Sequence, residues 1–120
     1  MRKFIIPAVA ATLLSAGGAF AFGNNQDTVQ FGWGNASGTT QLGAFNYSGT
    51  LQTGFLNSSS TFQAGVGNFS GTAQGGHRNT SSTAQIGWGN ASLTTQAGSH
   101  DNSNTVQFGA GNVSVVYQGY

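Results

Sequence analysis

The side chains that could do chemistry in this sequence of 120 residues are mainly amides and hydroxyls, and they recur every eleven residues. Each unit reads Asn-x-Ser-x-Thr-x-Gln-x-Gly-x-x, and the units follow one another without an insertion. A side-chain amide donates and accepts hydrogen bonds at once, so identical amides placed above one another can form continuous ladders. The spacing therefore predicts repeated structural hydrogen bonding and not a single reactive centre.

Two amide columns define this register. The Gln column comprises Gln30, Gln41, Gln52, Gln63, Gln74, Gln85, Gln96, Gln107 and Gln118. The Asn column comprises Asn24, Asn35, Asn46, Asn57, Asn68, Asn79, Asn90 and Asn112, with Asp101 as its one variant. We expect both columns to form ladders along a stack of repeats.

Catalytic groups are scarce. The chain contains no Cys and no Glu, and its only two carboxylate side chains, Asp27 and Asp101, are separated by many repeats. Its Ser and Thr hydroxyls lack a neighbouring base with an orienting acid, and glycoside hydrolysis needs two carboxylates placed together. We therefore expect no enzyme activity and no cofactor.

Four of the few charged or titratable side chains fall in two turns that are 22 residues apart and should stack: His77, Arg78, His100 and Asp101. One hypothesis is a metal site formed by the two His and Asp101, but the ligand spacing is poor. Another is a solvated turn with an ion pair worth about 0–1 kcal/mol. We favour a third, in which Arg78, His100, Asp101 and also Asp27 act as gatekeeper residues, whose charge slows premature lateral aggregation.

The first 21 residues are typical of a helical secretory signal peptide. A basic start, Met1-Arg2-Lys3, precedes an apolar stretch from Phe4 to Leu14 and a segment of small residues that ends at Ala21. This pattern predicts cleavage after Ala21. The apolar stretch is short for a transmembrane helix, which makes a retained membrane anchor the less favoured alternative. Residues 22–120 are then the folded domain.

After residue 21 the chain retains one positive and two negative side chains, Arg78, Asp27 and Asp101, so its net charge is −1. This leaves no basic patch for nucleic acid. No Cys is present to form a disulfide, and large aliphatic residues are few. A conventional hydrophobic core cannot be built from this composition.

Within each unit the Ser, Thr, Gln and Gly occupy alternate positions, which is the period of a β-strand. In the segment 37–43, for example, Ser37, Thr39, Gln41 and Gly43 share one face. We expect strands of about six to seven residues joined by turns of about four to five residues. Gly and Asn in the joining segments tolerate the positive φ that tight turns need.

The fold class that follows is all-β: a two-sheet β-solenoid of 22-residue coils, each made of two strand-turn units. A flat sheet of hairpins is the alternative. We favour the solenoid because it places identical residues directly above one another, which rewards an unvarying period. The stack should end in unpaired edges at its first coil, Gln26 to Gly32, and at its last strand, Val113 to Tyr120, where chains would add end to end.

Period two alone does not decide which strand face is inside. Simple hydrophobicity would bury the column that holds Val29, Phe31, Leu42, Leu51, Phe62, Ile86, Val106 and Phe108. That column also contains Gly75 and Gly119, and a gap of uniform width cannot accept Phe and Gly alternately without voids or strain. We therefore place the column of nearly constant size, Ser-Thr-Gln-Gly, in the interior.

The pattern Ser-x5-Gln-x-Gly-x2-Asn-x-Ser-x3-Gln resembles the curlin repeat. Residues 59–74 match it closely, with three and not five residues between the first Ser and Gln63, and the resemblance covers residues 24–120. The sequence differs from the family in that only Phe22 and Gly23 separate the signal peptide from the first repeat.

The resemblance implies the function. Curlins are the subunits of bacterial extracellular amyloid fibres, which serve cell adhesion and the biofilm matrix. It implies a secreted subunit at the cell surface, whose partners are further copies of itself, a nucleator subunit and an outer-membrane secretion channel.

Two rival functions use similar repeats. A monomeric ice-binding β-solenoid would need a flat, exposed row of Thr, whereas Thr here shares its face with Ser and Gln. A calcium-filled repeat adhesin would need Asp in every turn, which this sequence lacks.

Overall fold

The computed structural model describes residues 14–20 and 23–119, which form ten β-strands and no helix. The strands are β1 (Leu14–Phe20), β2 (Asn25–Trp33), β3 (Ala36–Ala44), β4 (Tyr47–Phe55), β5 (Ser58–Val66), β6 (Phe69–His77), β7 (Thr80–Trp88), β8 (Ala91–Ser99), β9 (Asn102–Ala110) and β10 (Val113–Gly119). Each repeat unit from β2 onward therefore supplies one strand.

The strands form two parallel sheets of five strands each. The odd sheet has the order β1-β3-β5-β7-β9, and the even sheet has the order β10-β8-β6-β4-β2. Neighbouring strands pair in an unbroken register of 22 residues, so that Gln52 lies opposite Gln74 and Gly54 opposite Gly76. This confirms the two-sheet solenoid of 22-residue coils and excludes the flat sheet of hairpins.

The strands are longer and the turns shorter than the sequence predicts. Strands β2 to β9 have nine residues each, and two residues join each strand to the next. The reason lies at the Gly that follows Gln. Gly65, for example, has φ 125° and so bends the chain, yet it remains paired with Gly87 in the neighbouring coil. Strand pairing therefore continues through the bend.

The first residue of each two-residue turn has the left-handed conformation. Gly67 and Gly89 do so with φ of 68° and 62°. Bulky residues take the same conformation at Phe45, Leu56, Arg78 and His100, with φ between 57° and 64°. The prediction that Asn would also take positive φ is wrong for the described residues, because Asn is needed one position later for a different purpose.

The interior of the solenoid is polar. Among residues 23–119 no hydrophobic side chain is buried, and every buried side chain is Asn, Ser, Thr or Gln. Gln52 and Gln63 are each 0% exposed. Phe62, which precedes Gln63 in the chain, points to the outer face and is 36% exposed. The interior is therefore the column of nearly constant side-chain size, as predicted. Hydrophobicity alone would have chosen the opposite strand face.

The described part of the expected signal peptide is a strand and not a helix. Residues 14–20 form β1, which pairs with β3 in the same 22-residue register, Leu14 opposite Ala36. Gly17 and Gly18 each cost a helix about 1 kcal/mol, and the edge of β3 offers backbone donors and acceptors. The rest of the predicted signal peptide lies outside the described residues. Among the described residues, no helix is long and apolar enough to cross a membrane.

Candidate functional site

The nine Gln of the repeat form two directional ladders in the interior. In each, the side-chain Nε2 donates to the Oε1 of the Gln that follows 22 residues later. In the even sheet the distances are 2.6 Å for Gln30–Gln52, 2.7 Å for Gln52–Gln74, 2.7 Å for Gln74–Gln96 and 2.8 Å for Gln96–Gln118. In the odd sheet they are 2.8 Å for Gln41–Gln63, Gln63–Gln85 and Gln85–Gln107. Chains of aligned amides polarise one another, so each bond strengthens its neighbours.

The second amide proton of Gln ties the two sheets together. Gln52 Nε2 also donates to the main-chain oxygen of Ala36, at the start of a strand in the opposite sheet, at 2.9 Å. The same bond, always to the residue 16 positions earlier, recurs at 2.9 Å from Gln63 to Tyr47 and from Gln74 to Ser58. Gln52, Gln63 and Gln74 therefore each use both donors and the acceptor, which satisfies a buried amide in full.

The Asn column holds the turns. The main-chain N of Asn57 donates to Oδ1 of Asn35 at 3.1 Å, and Asn79 does the same to Asn57 at 3.1 Å. The Nδ2 of Asn57 donates to the main-chain oxygens of Thr53 at 3.0 Å and Gly76 at 3.3 Å. The Asn57 side chain thus fixes its own bend and joins it to the next coil, while the main-chain N of Asn57 joins it to the previous coil. Asn35, Asn46, Asn57, Asn68, Asn79 and Asn90 are all buried.

The Ser and Thr rows provide packing between the sheets more than hydrogen bonding. Thr39 Oγ1 lies 3.3 Å from Ser48 Oγ across the interior. Several other hydroxyls are buried without a hydrogen-bond partner, among them those of Ser59, Ser70, Thr72, Ser81, Thr83, Ser92 and Thr94. The other buried polar side chains of residues 23–119 are Asn and Gln.

The directional ladders leave the two ends of the stack chemically different. At the β2 end, Gln30 Oε1 is buried and has no hydrogen-bond partner. At the other end, Gln107 and Gln118 donate one proton each, to Ala91 O at 3.1 Å and Asn102 O at 2.8 Å. The second proton of each meets no acceptor in residues 23–119. One end therefore offers an acceptor and the other offers donors.

The donor end contains an open groove between β9 and β10. Its volume is about 480 Å³ and its lining includes the interior residues Thr105, Gln107 and Ser114. No described strand lies beyond β9 or β10 in either sheet. Thr105 and Gln107 are still buried, whereas Ser114 on β10 is half-buried. The interior row is therefore less covered on β10 than on the inner strands, beside two strand edges that no described strand pairs with.

Three of the four predicted gatekeeper residues lie at one edge of the solenoid. Arg78, His100 and Asp101 occupy turns that follow even-sheet strands, whereas Asp27 is exposed on β2. His77 stacks on Phe55 with ring centroids 5.1 Å apart. Within the described residues no three potential ligands converge as a metal site would require.

Asp101 breaks the Asn column. Its main-chain N donates to Asn79 Oδ1 at 3.1 Å, as in the other coils. Its Oδ2, however, is buried without a partner. At the equivalent place Asn79 donates Nδ2 to Gly75 O at 2.9 Å, a bond that a carboxylate cannot make.

We expect Asp101→Asn to raise the free energy of unfolding by about 1 kcal/mol, because it restores a donor to a buried position. Urea unfolding at neutral pH, followed by circular dichroism, measures this change. Asp27→Asn is the matched control, since it removes the same charge from an exposed site and should change stability by less than about 0.5 kcal/mol. Equal effects of the two substitutions would contradict the assignment of Asp101 to the ladder.

Sequence reasoning missed the strain at the left-handed turn residues. The sequence does indicate a left-handed conformation there, because the column that contains Leu56 and Arg78 holds Gly in most other units. A left-handed conformation costs a residue with a Cβ about 1–2 kcal/mol. Leu56→Gly should therefore stabilise the fold by about 0.5 to 1 kcal/mol after the entropy of Gly is allowed for.

The control for this prediction is Leu93→Gly, which removes the same side chain from an exposed strand position on β8. It should destabilise the fold by about 0.5 to 1 kcal/mol, because Gly weakens a strand. Thermal and urea unfolding of the two variants should shift in opposite directions. Shifts of the same sign would show that the left-handed conformation is not the deciding factor at residue 56.

Aromatic side chains stack along the outer surface of the even sheet. Tyr47 and Phe69, at the start of β4 and β6, stack with their ring centroids 5.2 Å apart and their ring planes nearly parallel. Trp33 and Trp88 are 56% and 70% exposed, on different sheets. The stacking of Tyr47 on Phe69 follows from the 22-residue register, which brings like strand positions together.

Comparison with known proteins adds no relative. No protein-family model matches the chain, and no curated protein matches it either. The functional assignment therefore depends on the geometry of the stack and its ends.

Proposed function

We propose that this chain is the structural subunit of a curli-like extracellular amyloid fibre, which polymerises end to end and serves cell adhesion and the biofilm matrix. The observation that carries the proposal is the chemical difference between the two ends. Gln30 presents a buried acceptor without a donor, while Gln107 and Gln118 present donors without an acceptor. Another copy of the chain supplies a donor for Gln30 at one end and an acceptor for one of the two donors at the other end.

Growth would proceed by templated strand addition. The edges of β9 and β10 offer backbone groups for parallel pairing, and the groove of about 480 Å³ between them receives the interior side chains of an incoming coil. The incoming chain repeats the same Ser, Thr and Gln at the same spacing, so each bond already present in the stack is reproduced at the junction. An unpaired buried amide costs about 1–3 kcal/mol, and addition removes that cost.

The partners and location follow from the same proposal. The polymer is made of copies of this chain, started by a nucleator subunit and exported through an outer-membrane channel after removal of a secretory signal. Arg78, His100 and Asp101 lie along one edge of the stack, where hydrated polar and charged side chains would slow side-by-side aggregation before export. Asp27 would act in the same way at the first coil.

Ice binding by a monomer is less well supported by this geometry. An ice-binding array needs exposed Thr in a flat row, whereas Thr50, Thr61 and Thr72 are at most 5% exposed. The outer faces of β4, β5 and β6 mix Gly, Ala, Ser and large side chains with a single Thr, Thr53, so they present no row of exposed Thr. Polymerisation, in contrast, would continue the interior rows of Ser, Thr and Gln from one chain into the next.

The test compares the full chain with residues 22–120. In the full chain β1 pairs with β3 and covers that edge of the odd sheet; removal of residues 1–21 uncovers it. We expect the shorter chain to polymerise with a lag that preformed seeds abolish, at least several-fold faster than the full chain. Amyloid-dye fluorescence follows the kinetics, and fibre diffraction should give a meridional reflection near 4.7–4.8 Å.

A shorter chain that stays monomeric at high concentration, with or without seeds, would overturn the proposal. So would fibres whose diffraction lacks the strand spacing. A double variant, Gln107→Ala with Gln118→Ala, should slow elongation from seeds, because both unpaired donors are lost. The matched control is Thr40→Ala with Thr95→Ala on the outer faces, which should elongate at the rate of the unmodified chain.

A further inference from the structure

Without residues 1–21 the chain has an odd number of strands. Strand β1 is lost with that segment, which leaves β2 to β10: five strands in the even sheet and four in the odd sheet. Since two strands make one coil, these nine strands make four and a half coils. The solenoid therefore begins and ends with a strand of the same sheet, and its two ends differ in shape.

Straight stacking of a second copy would leave a gap in one sheet. If the second copy kept the orientation of the first, its β2 would lie over β10 in the even sheet. Its β3 would then lie two strand spacings beyond β9 in the odd sheet, at about 9.5 Å where paired strands are about 4.8 Å apart. The edge of β9 would stay unpaired beside the open groove, although an enclosed row of backbone donors and acceptors is costly.

A half turn of the second copy about the stacking axis closes this gap. The rotation exchanges the positions of the two sheets, so that β2 of the second copy lies next to β9 and its β3 lies next to β10. Consecutive strands are joined by two residues and so run in opposite directions across the solenoid. The half turn therefore also gives each new pair the parallel direction that the stack requires.

We propose that successive chains in the fibre are related by this half turn, with β2 of each chain on β9 of the one before and β3 on β10. The inference rests on the proposed function and specifies its junction. Residues 22–120 number 99. The 22-residue register, continued from Gln107, reaches position 129, which is residue 30 of the next copy after subtraction of 99. Gln118 lies opposite Gln41 of the next copy by the same count.

Both Gln ladders continue through such a junction. Gln107 and Gln118 each have one amide proton to donate after their bond to the opposite sheet. The Oε1 of Gln30 is buried without a partner, and Gln41 is the first Gln of the odd ladder, since the residue opposite it on β1 is Ala19. Both ladders donate in the same direction along the stack. Two donors thus meet two acceptors, whereas straight stacking would join one ladder only.

The Asn column also closes at this junction. Continued by 22 residues, Asp101 lies opposite Asn24 of the next copy. In the stack the main-chain N of each turn donates to the side-chain oxygen one coil earlier, as Asp101 does to Asn79 at 3.1 Å. Asp101 Oδ2 and Asn24 Nδ2 are both buried without a partner, and Asn68 Nδ2 donates to Asn46 Oδ1 at 3.1 Å across the same step. The half turn therefore brings an unpaired acceptor to an unpaired donor.

Helical reconstruction of fibres of residues 22–120 by cryo-electron microscopy measures the relation between chains. Nine strands at half a strand spacing each give an expected rise of about 21 Å per chain. The density should show β9 followed by β2 of the next chain in one sheet, and β10 followed by β3 in the other. Straight stacking needs the length of five coils, about 24 Å per chain. A rise of about 24 Å, with β2 next to β10, would overturn the proposal.

Two matched variants test the same junction by kinetics. The register places Asn104 opposite Asp27 of the next copy, whereas straight stacking would place Val115 there; all three side chains are exposed. Like charges directly opposite each other destabilise strand pairing. Asn104→Asp should therefore slow elongation from its own seeds about two- to five-fold at low salt, and Asp27→Asn in the same chain should restore the rate. Val115→Asp should have the smaller effect; slowing by Val115→Asp and not by Asn104→Asp would overturn the half turn.

Failure of the proposed function gives a different result from failure of the half turn. If residues 22–120 form no fibre with or without seeds, the proposed function is overturned and the half turn with it. Fibres with the strand spacing but a rise of about 24 Å per chain would retain the proposed function and overturn the half turn alone.

Discussion

Replacing Gly76 by Ala is expected to destroy the folded stack, whereas replacing its neighbour Gly75 is expected to leave the stack almost unchanged. Gly76 has φ 114°, a conformation that residues with a Cβ rarely adopt, and a Cβ built there overlaps the main-chain oxygen of Gly98 in the next coil. Neither atom can move, because both belong to paired strands. We expect a loss of more than about 4 kcal/mol from backbone strain and overlap together.

Gly75 is the matched control because it differs from Gly76 by one position only. It points away from the interior, its φ is not in the left-handed region, and an added Cβ has no heavy atom within 4 Å. Gly75→Ala should change the free energy of unfolding by less than about 1 kcal/mol, with a gain in strand propensity. Far-UV circular dichroism and urea unfolding measure both variants. Equal stability of Gly76→Ala and Gly75→Ala would contradict the close stacking of the Gly column.

Gln52→Glu is expected to be the most damaging substitution in the interior. Gln52 is 0% exposed, donates to Ala36 O and Gln74 Oε1, and accepts from Gln30 Nε2. An introduced carboxylate loses both donors and faces two acceptors, in a place where no cation can reach it. Truncating a buried charged pair costs about 3–5 kcal/mol because a charge stays unpaired, and we expect a loss of that order at neutral pH.

The effect should depend on pH in a definite direction. Burial favours the neutral acid, so the pKa of the introduced carboxyl is raised in the folded state above its unfolded value of about 4.3. The penalty is therefore full at neutral pH and falls as the pH is lowered through the raised pKa, since the protonated acid regains one donor. Thr53→Glu, one residue away on the outer face, should lose less than about 1 kcal/mol and show little of this recovery. A Gln52→Glu variant as stable as Thr53→Glu would contradict the buried ladder.

The stability of this fold has an unusual source. With no buried hydrophobic side chain in residues 23–119, the usual driving force acts only through the apolar parts of Gln, Thr and Asn and through the close approach of two sheets. Amides that are fully satisfied in cooperative chains hold the stack together. The same ladders leave amide groups without hydrogen-bond partners at the ends of the stack. This raises the free energy of an isolated chain and favours its contact with another chain.

The period predicted most of this architecture because it is a physical constraint. Eleven residues with a two-residue alternation require one strand and one bend, and two such units return the chain to its starting side. The identity of the interior followed from side-chain size, since Gln at every coil is compatible with a gap of constant width and a column that mixes Phe62 with Gly75 is not.

Other features could not be predicted from the pattern. The nine-residue strands depend on Gly65 and its equivalents pairing while they bend, which is a property of the assembled coil. The strained turn at Leu56 and the unpaired oxygen of Asp101 arise because neighbouring coils impose one conformation on different residues. The chemical difference between the two ends of the stack depends on the direction of the Gln hydrogen bonds. The spacing of Gln in the sequence does not determine that direction.

The most direct test of the central claim is a measurement of contacts between chains in the fibre. Chains labelled with ¹⁵N are mixed with chains labelled with ¹³C, polymerised, and studied by solid-state nuclear magnetic resonance. We predict a contact between the side-chain nitrogen of Gln107 or Gln118 in one chain and the side-chain carbonyl of Gln30 in another, which Gln30→Ala removes. Fibres in which these side chains contact only their own chain would contradict end-to-end growth through the Gln ladder.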